Sequence, residues 1–114
     1  KREGKLMKVM VVDDSQTMVH ILSTAASKTI KDVEVFLCYN GQEALETLEI
    51  NPDVKLILLD VNMPVMNGKE FLKTIRKYER YDDVRVIMQT TESSKSEIKK
   101  MMELGITGYL MKPY

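Results

Sequence analysis

Five residues have the side chains that a metal-assisted phosphoryl transfer requires. They are three carboxylates, a hydroxyl and an ammonium: Asp13, Asp14, Asp60, Thr90 and Lys112. Two carboxylates about 4 Å apart repel by roughly 4 kcal/mol at an effective dielectric near 20, and Lys112 offsets only one of the three charges. A divalent cation would neutralise the rest, and all-oxygen ligands favour Mg²⁺ completed by water and phosphate. A carboxylate beside such a metal can accept a phosphoryl group as a nucleophile.

Each of these residues also has an ordinary structural interpretation. An acid that follows a strand is commonly a helix N-cap, which would account for Asp13 or Asp14 taken singly. Asp60 could be a loop acid, Thr90 could cap a turn, and Lys112 could belong to a simple strand exit. The functional interpretation therefore depends on whether the fold brings all five residues together.

The elements that position these residues alternate between strands and helices. Apolar and β-branched runs predict strands over residues 8–12, 33–39, 56–59, 84–88 and 109–111. The run at 56–59 is apolar throughout, which is typical of a central parallel strand, whereas 33–39 alternates and predicts an edge strand. Asp13, Asp60 and Lys112 directly follow a predicted strand, and Thr90 comes shortly after one.

Apolar spacing and capping residues predict four helices between these strands. Ser15 is a candidate N-cap for the first, Gly41 opens the second, residues 69–78 form the third, and a fourth runs from a Ser94 cap to Leu104 and ends at Gly105. The residues expected to face the core are Met18, Ile21, Leu22 and Ala25; Ala44, Leu45 and Leu48; Phe71, Leu72 and Ile75; and Ile98, Met101 and Met102.

Strict alternation of strand and helix predicts an α/β fold with a doubly wound, mostly parallel sheet covered by helices on both faces. In such sheets the binding crevice lies at the carboxyl ends of the strands. The five candidate site residues all fall at strand ends, so we expect one shared site rather than five unrelated structural roles.

Length and composition are those of one domain, which we assign to residues 1–114 with 1–6 as a leader or tail. The formal net charge is +0, so no global electrostatic attraction to nucleic acid or to a membrane surface is expected. Cys38 is the only cysteine, which excludes an intrachain disulfide and indicates a reducing compartment. Since no apolar run approaches the length of a membrane span, we expect a cytoplasmic protein.

The motifs carrying these residues resemble the receiver domain of response regulators in two-component signalling, especially the single-domain chemotaxis type. The matching segments are VDDS at 12–15, LDVNMP at 59–64, NG at 67–68, Thr90, Tyr109 and the Lys112-Pro113 pair. The match runs from about residue 8 to the end of the chain. It implies a flavodoxin-like sheet of five parallel strands in the order 2-1-3-4-5.

The resemblance also implies a role for each metal-site residue. Asp60 would accept a phosphoryl group from a sensor histidine kinase. Asp14 and Asp60 would bind Mg²⁺ directly, Asp13 would bind it mostly through water, and Asn62 would contribute its backbone carbonyl.

A second group of residues would bind the phosphoryl group and respond to it. Lys112 and Thr90 would bind its oxygens, and Tyr109 would follow Thr90 inward as a switch. A downstream protein target would then recognise the face formed by the fourth helix and the fifth strand. The bond between Lys112 and Pro113 is cis in this family, and a cis bond before proline costs little free energy relative to trans.

Several positions bear on phosphoryl lifetime and on local burial. Asn62 and Glu92 flank the path of an attacking water and predict a short-lived phosphoryl group, whereas Thr91 stands where relatives have a smaller residue and would crowd that path. Gln89 replaces a more usual apolar residue before Thr90, so we expect it to be partly exposed.

The family's fifth helix would follow Tyr114 and is absent from this sequence. A sheet face left partly bare would favour association, so we expect either that the natural chain continues or that a neighbouring chain covers this face. The main alternative function is accordingly a receiver domain cut from a larger response regulator with an effector domain.

Other classes of protein fit the residues less well. A haloacid-dehalogenase-like phosphatase requires an acid two residues after its nucleophile, where this chain has Asn62. A flavodoxin requires a phosphate-cradling loop after the first strand, where Asp13 and Asp14 would repel a phosphate. A degenerate, phosphate-independent receiver would lack some of the five site residues, and all are present.

Overall fold

The structure, a computed structural model, describes residues 6–90 and 95–111. In these ranges five strands alternate with four helices and one 3₁₀ turn. The elements are β1 (Met7–Val12), α1 (Gln16–Thr29), β2 (Val33–Cys38), α2 (Gly41–Ile50), β3 (Leu56–Asp60), α3 (Gly68–Ile75), the 3₁₀ turn Glu79–Tyr81, β4 (Arg85–Thr90), α4 (Lys95–Glu103) and β5 (Gly108–Met111).

The strands form one parallel sheet in the order β2-β1-β3-β4-β5, as the resemblance implied. β2 lies at an edge and β3 at the centre, which confirms both predictions from hydropathy. In the register, Val12 lies opposite Leu59 of β3, and Asp60 lies opposite Gln89 of β4. The carboxyl ends of β1, β3 and β4 therefore lie side by side.

The main core lies between the sheet and helices α2, α3 and α4. Alternate positions of the central strands point into it and are fully buried: Met10, Val12, Ile57, Leu59, Val86 and Met88. The helices contribute Leu48, Phe71, Leu72, Ile75 and Met101, which are also fully buried. Period-two burial on the strands and three-to-four-residue spacing on the helices produce this single contiguous cluster.

The opposite face of the sheet is covered by α1 over β1 and β2. Val9 and Val11 are fully buried on this face. Towards β4 and β5, Leu58 and Ile87 are only half-buried and Leu110 is exposed. Among the described residues, this face is therefore covered well at one side of the sheet and poorly at the other.

Two helices expose residues that the sequence predicted to face inward. In α1, Val19 and Ala26 are buried, whereas Ile21 and Ala25 are exposed. In α4, Met101 is fully buried and Met102 is 58% exposed. The prediction for α1 was wrong by about one residue, whereas that for α4 was right for Ile98 and Met101 and wrong for Met102. Adjacent apolar pairs leave the rotation of a helix about its axis undetermined.

Two predicted boundaries also move. α3 ends at Ile75 rather than residue 78, because the N–H groups of Lys77 and Tyr78 bond to carbonyls three residues back instead of four. The chain then folds inward and buries Tyr81. β4 continues to Thr90, so Gln89 lies inside the sheet between β3 and β5. Gln89 is consequently fully buried, and the expectation of partial exposure was wrong.

Residues 6–90 and 95–111 contain no helix with the length and hydropathy of a bilayer span.

Candidate metal and phosphoryl site

Three carboxylates meet at the carboxyl edge of the sheet. Asp13 and Asp14 follow the last residue of β1, and Asp60 is the last residue of β3, the strand that pairs with β1. One carboxylate oxygen from each residue lies within 4.8 Å of the other two. Asp13 and Asp60 are buried while Asp14 is exposed, so the cluster opens to solvent on one side.

The helix after β1 is capped by Ser15 and not by either acid. The Ser15 hydroxyl accepts a hydrogen bond of 3.2 Å from the Met18 N–H, and the Ser15 N–H donates one of 2.9 Å to the Asp13 carboxylate. The N-cap interpretation of Asp13 and Asp14 is therefore wrong. Capping by a neutral hydroxyl leaves both acids at the sheet edge, where the bond from Ser15 orients Asp13.

The donor set fits a hard divalent cation. All of the available ligand atoms are carboxylate oxygens, and their spacing is short enough to make mutual repulsion costly without a countercharge. Mg²⁺ typically binds one or two carboxylates and keeps several waters, which the exposed side at Asp14 can accommodate.

The loop from residue 61 to residue 67 carries Asn62 and is fixed at its base. The Val61 N–H donates to the Gln89 carbonyl over 3.2 Å, and the Gly68 N–H donates to the Val61 carbonyl over 2.8 Å. A Cβ at Gly68 would lie 2.2 Å from the Asp60 carbonyl oxygen, closer than any side chain permits. Gly68 is thus required by close backbone approach to Asp60. In the sequence, Gly68 was identified only as part of the NG segment that resembles receiver domains, and its position directly after Asn67 was the available signal.

The two predicted switch residues occupy neighbouring strands. Thr90 is the last residue of β4 and is buried, one position beyond the residue that pairs with Asp60. Tyr109 lies on β5 opposite Met88, and 39% of it is exposed. The fold therefore brings Thr90 to the same sheet edge as the carboxylates, with Tyr109 on the adjacent strand.

Four predicted site residues lie outside the described part of the chain, as does Ser94, the predicted N-cap of the fourth helix. The site residues are Thr91, Glu92, Lys112 and Pro113. Their predicted roles in phosphoryl binding, phosphoryl lifetime and the cis peptide bond remain predictions.

The helix that follows Thr90 in the chain is held by polar contacts from α3. The Arg76 guanidinium donates to the carbonyls of Leu104 and Gly105, just beyond the end of α4, over 3.0 and 2.9 Å. The same group donates to the carbonyls of Tyr81 and Val84 over 2.8 and 3.1 Å. Sequence reasoning did not identify Arg76, since its partners are backbone atoms that leave no sequence pattern.

The other end of α4 carries an ion pair with α3. The Lys69 ammonium donates to the Glu97 carboxylate, and Lys100 lies 3.4 Å from its second oxygen. The hydrogen bond from Lys69, followed by the charge of Lys100, lowers the pKa of Glu97 below its ordinary value.

Cys38 behaves as a small buried apolar residue. Its thiol lies 3.4 Å from the Thr47 hydroxyl, and burial raises its pKa. A raised pKa disfavours the nucleophilic thiolate.

Comparisons with known proteins agree with this geometry. The family described as the response regulator receiver domain matches residues 9–114. A chemotaxis protein CheY homolog of Campylobacter jejuni is 40% identical over 108 residues, which cover 95% of this chain and 82% of that protein.

Solved structures give the same picture of the fold. The chemotaxis response regulator CheY4 of Vibrio cholerae superposes with a TM-score of 0.85 at 34% identity, covering 96% of this chain and 89% of that one. The CheX-CheY-BeF₃-Mg²⁺ complex of Borrelia burgdorferi gives a TM-score of 0.84 at 24% identity, with coverage of 95% and 79%, a likeness of fold alone.

Proposed function

The chain belongs to the response regulator receiver family, and from that membership we propose that Asp60 accepts a phosphoryl group from a histidine kinase. Homology to CheY proteins makes it a signalling module of the two-component type. The observation that carries the residue assignment is the convergence of Asp13, Asp14 and Asp60 within 4.8 Å, with Asp60 at the end of the central strand.

The residues that would hold Mg²⁺ are Asp13, Asp14, Asp60 and, through its backbone carbonyl, Asn62. The Borrelia burgdorferi neighbour, a complex with BeF₃ and Mg²⁺, supports this ligand chemistry. When bound, Mg²⁺ supplies positive charge that offsets the three carboxylates and the incoming phosphoryl oxygens.

Asp60 supplies the nucleophilic oxygen. Its carboxylate forms the new O–P bond while the bond between phosphorus and the donor's leaving group breaks, and the leaving group departs with that electron pair. Its backbone is held in place because Val61, the next residue, donates to the Gln89 carbonyl and accepts from the Gly68 N–H. Such fixation lowers the entropic cost of reaching the in-line geometry. Lys112 would pair with one phosphoryl oxygen.

Thr90 would couple the site to the output surface. Its hydroxyl can donate a hydrogen bond to a phosphoryl oxygen only by moving towards Asp60, and this movement vacates space that the ring of Tyr109 can enter. One charge-assisted bond contributes roughly 1.5–3 kcal/mol, whereas moving a population from 1:99 to 99:1 requires about 5.5 kcal/mol. Lys112 and the bound partner would therefore supply the remainder.

The surface beside Tyr109 has the character of a protein-binding face. Met102 of α4 and Met111 of β5 are exposed apolar side chains. The names of the relatives suggest chemotaxis as the pathway, and the CheX-CheY complex shows one such neighbour bound to a protein. We propose that the target of this chain binds the α4 and β5 face.

Phosphorylation by acetyl phosphate with Mg²⁺ tests the assignment of Asp60. Intact-mass spectrometry should show one base-labile phosphoryl group on the wild type and none on Asp60→Asn. Asp83→Asn, which neutralises an exposed acid at the start of the β4 region, is the matched control and should be labelled like the wild type. Equal labelling of Asp60→Asn and wild type would exclude Asp60 as the acceptor.

The coupling and the lifetime are tested separately. With beryllofluoride as the phosphate mimic, Thr90→Ala should bind the mimic but lose most of the NMR shift at Tyr109 and along α4. A full wild-type shift would refute the coupling.

For the lifetime, Asn62→Ala and Glu92→Ala should slow the decay of the phosphoryl group. Unchanged decay over hours in all three proteins would contradict the proposed roles of Asn62 and Glu92.

A further inference from the structure

The loop from residue 61 to residue 67 contacts the first turn of α2. The Gly41 N–H donates a hydrogen bond of 2.9 Å to the Met66 carbonyl. Gly41 is the first residue of α2, and the first N–H groups of a helix have no acceptor within it. The N-cap side chain of Asn40 accepts from the Glu43 N–H instead, so the N–H of Gly41 is available to the loop.

The contact is too close for any side chain at position 41. A Cβ there would lie 2.7 Å from Cγ and 2.8 Å from the carbonyl oxygen of Met66. The backbone of Gly41 is ordinary helical backbone, so its conformation alone does not require glycine. Since glycine weakens a helix, the close approach to Met66 is the physical reason for glycine at this position.

Gly108, which also lies in a regular element and has no positive φ, gives a contrast. A Cβ added at Gly108 of β5 would meet nothing within 4 Å. The steric demand at Gly41 is therefore a local property of its contact with the loop.

Met66 anchors the outer half of the loop, beyond Met63, which also packs against the core cluster. Pro64 is exposed, and Val65 is 80% exposed with a φ of 69°, so neither is held by packing. The side chain of Met66 packs against the core cluster, and its carbonyl is bound by Gly41. Asn62, whose carbonyl is the proposed metal ligand, belongs to this same loop.

From these contacts we infer that Gly41 is a positioning residue for the metal site. By holding Met66, it sets the path of the loop and thereby the distance of the Asn62 carbonyl from the carboxylates. The inference rests on the proposed metal site. A methyl group at position 41 displaces the loop and weakens divalent-cation binding while leaving Asp13, Asp14 and Asp60 at the carboxyl ends of their strands.

Binding of Mn²⁺, measured by electron paramagnetic resonance of the free ion, tests this inference. Gly41→Ala should raise the dissociation constant for Mn²⁺ about tenfold, which is the effect of removing a contact that orients a ligand. Gly108→Ala adds the same methyl where there is room and should bind Mn²⁺ like the wild type. Thermal melts with and without Mg²⁺ report folding separately, and Mg²⁺ should raise the melting temperature of Gly41→Ala less than that of the wild type.

The outcomes separate the inference from the function on which it rests. No Mn²⁺ binding by the wild type would overturn the proposed metal site itself. Binding by the wild type with an unchanged constant in Gly41→Ala would overturn only the positioning role. If Gly41→Ala gives no cooperative melt, Met66→Ala probes the same contact from the loop side. Weaker Mn²⁺ binding by Met66→Ala supports the inference, and unchanged binding refutes it.

Discussion

Helices α3 and α4 lie on the same face of the sheet and follow the strands that end in Asp60 and Thr90, yet different forces hold them. α3 buries Phe71, Leu72 and Ile75 completely. A capping box between Asn67 and Glu70 fixes its start. In α4, Met101 is the only fully buried side chain among those described.

Polar contacts compensate for the smaller apolar contribution of α4. Arg76 binds the carbonyls beyond its carboxyl end, and the pair between Lys69 and Glu97 joins its first turns to α3. Apolar burial in a close-packed core resists small displacements, whereas partly exposed polar contacts can be broken one at a time. The difference indicates a rigid helix after Asp60, the proposed phosphoacceptor, and an adjustable one beside the proposed output surface.

The largest loss of stability should come from removing a side chain of the apolar face of α3. Phe71→Ala removes a fully buried ring and should reduce the free energy of unfolding by about 3–5 kcal/mol in urea titration. Lys73→Ala, on the exposed side of the same helix, is the control and should change it little. A loss with Phe71→Ala no larger than with Lys73→Ala would mean that α3 is not held by its core face.

Removal of the polar anchor of α4 should have a smaller effect. Arg76→Ala deletes four hydrogen bonds to backbone carbonyls and should cost about 2 kcal/mol, with faster amide exchange concentrated in α4. Arg76→Lys keeps the charge but cannot reach four carbonyls, so it should recover only part of the loss. Full recovery with lysine would show that charge, not the geometry of the guanidinium, anchors the helix.

One position on the α3 side is strained, and relieving it should stabilise the protein. Val65 is a β-branched residue with a φ of 69°, a conformation that Asn tolerates far better. Val65→Asn should raise the free energy of unfolding by about 1 kcal/mol, whereas Val65→Ile, which keeps the β-branch, should not. If the two variants have equal stability, the backbone at residue 65 is not strained.

The smallest effect belongs to the ion pair at the start of α4. The folded-state pKa of Glu97 is lowered by Lys69 and Lys100, so its stabilisation is present above the ordinary carboxyl pKa and is lost as the pH falls through the lowered value. Protection of α4 amides in wild type and Glu97→Gln should therefore differ at neutral pH and low salt, and converge in acid or at high salt. Glu103→Gln, another exposed acid of α4, should behave like the wild type at every pH.

The sequence was sufficient for features that depend on local patterns. Apolar runs identified the strands, and the alternation of elements identified the parallel sheet, so the meeting of Asp13, Asp14 and Asp60 could be predicted. Ser15 was recognised as the first N-cap because a hydroxyl before an apolar helical pattern is a local signal.

Features that depend on contacts between distant segments were not predictable. Adjacent apolar pairs at 18–19, 25–26 and 101–102 left the rotation of α1 and α4 ambiguous. Burial of Gln89 depends on pairing with β5 on one side and β3 on the other. The approach of Gly41 to Met66 likewise joins two segments whose proximity only the folded chain establishes.

The outer edge of β2 bears on the behaviour of the protein at high concentration. In the described part of the chain β2 pairs only with β1, so its other edge presents backbone donors and acceptors to any extended chain. Glu34 is the only charged residue of the strand, and the other residues are apolar, including the exposed Leu37. Charge on an edge strand discourages addition of further strands. The carboxylate of Glu34 is thus the main obstacle to edge-to-edge aggregation along β2.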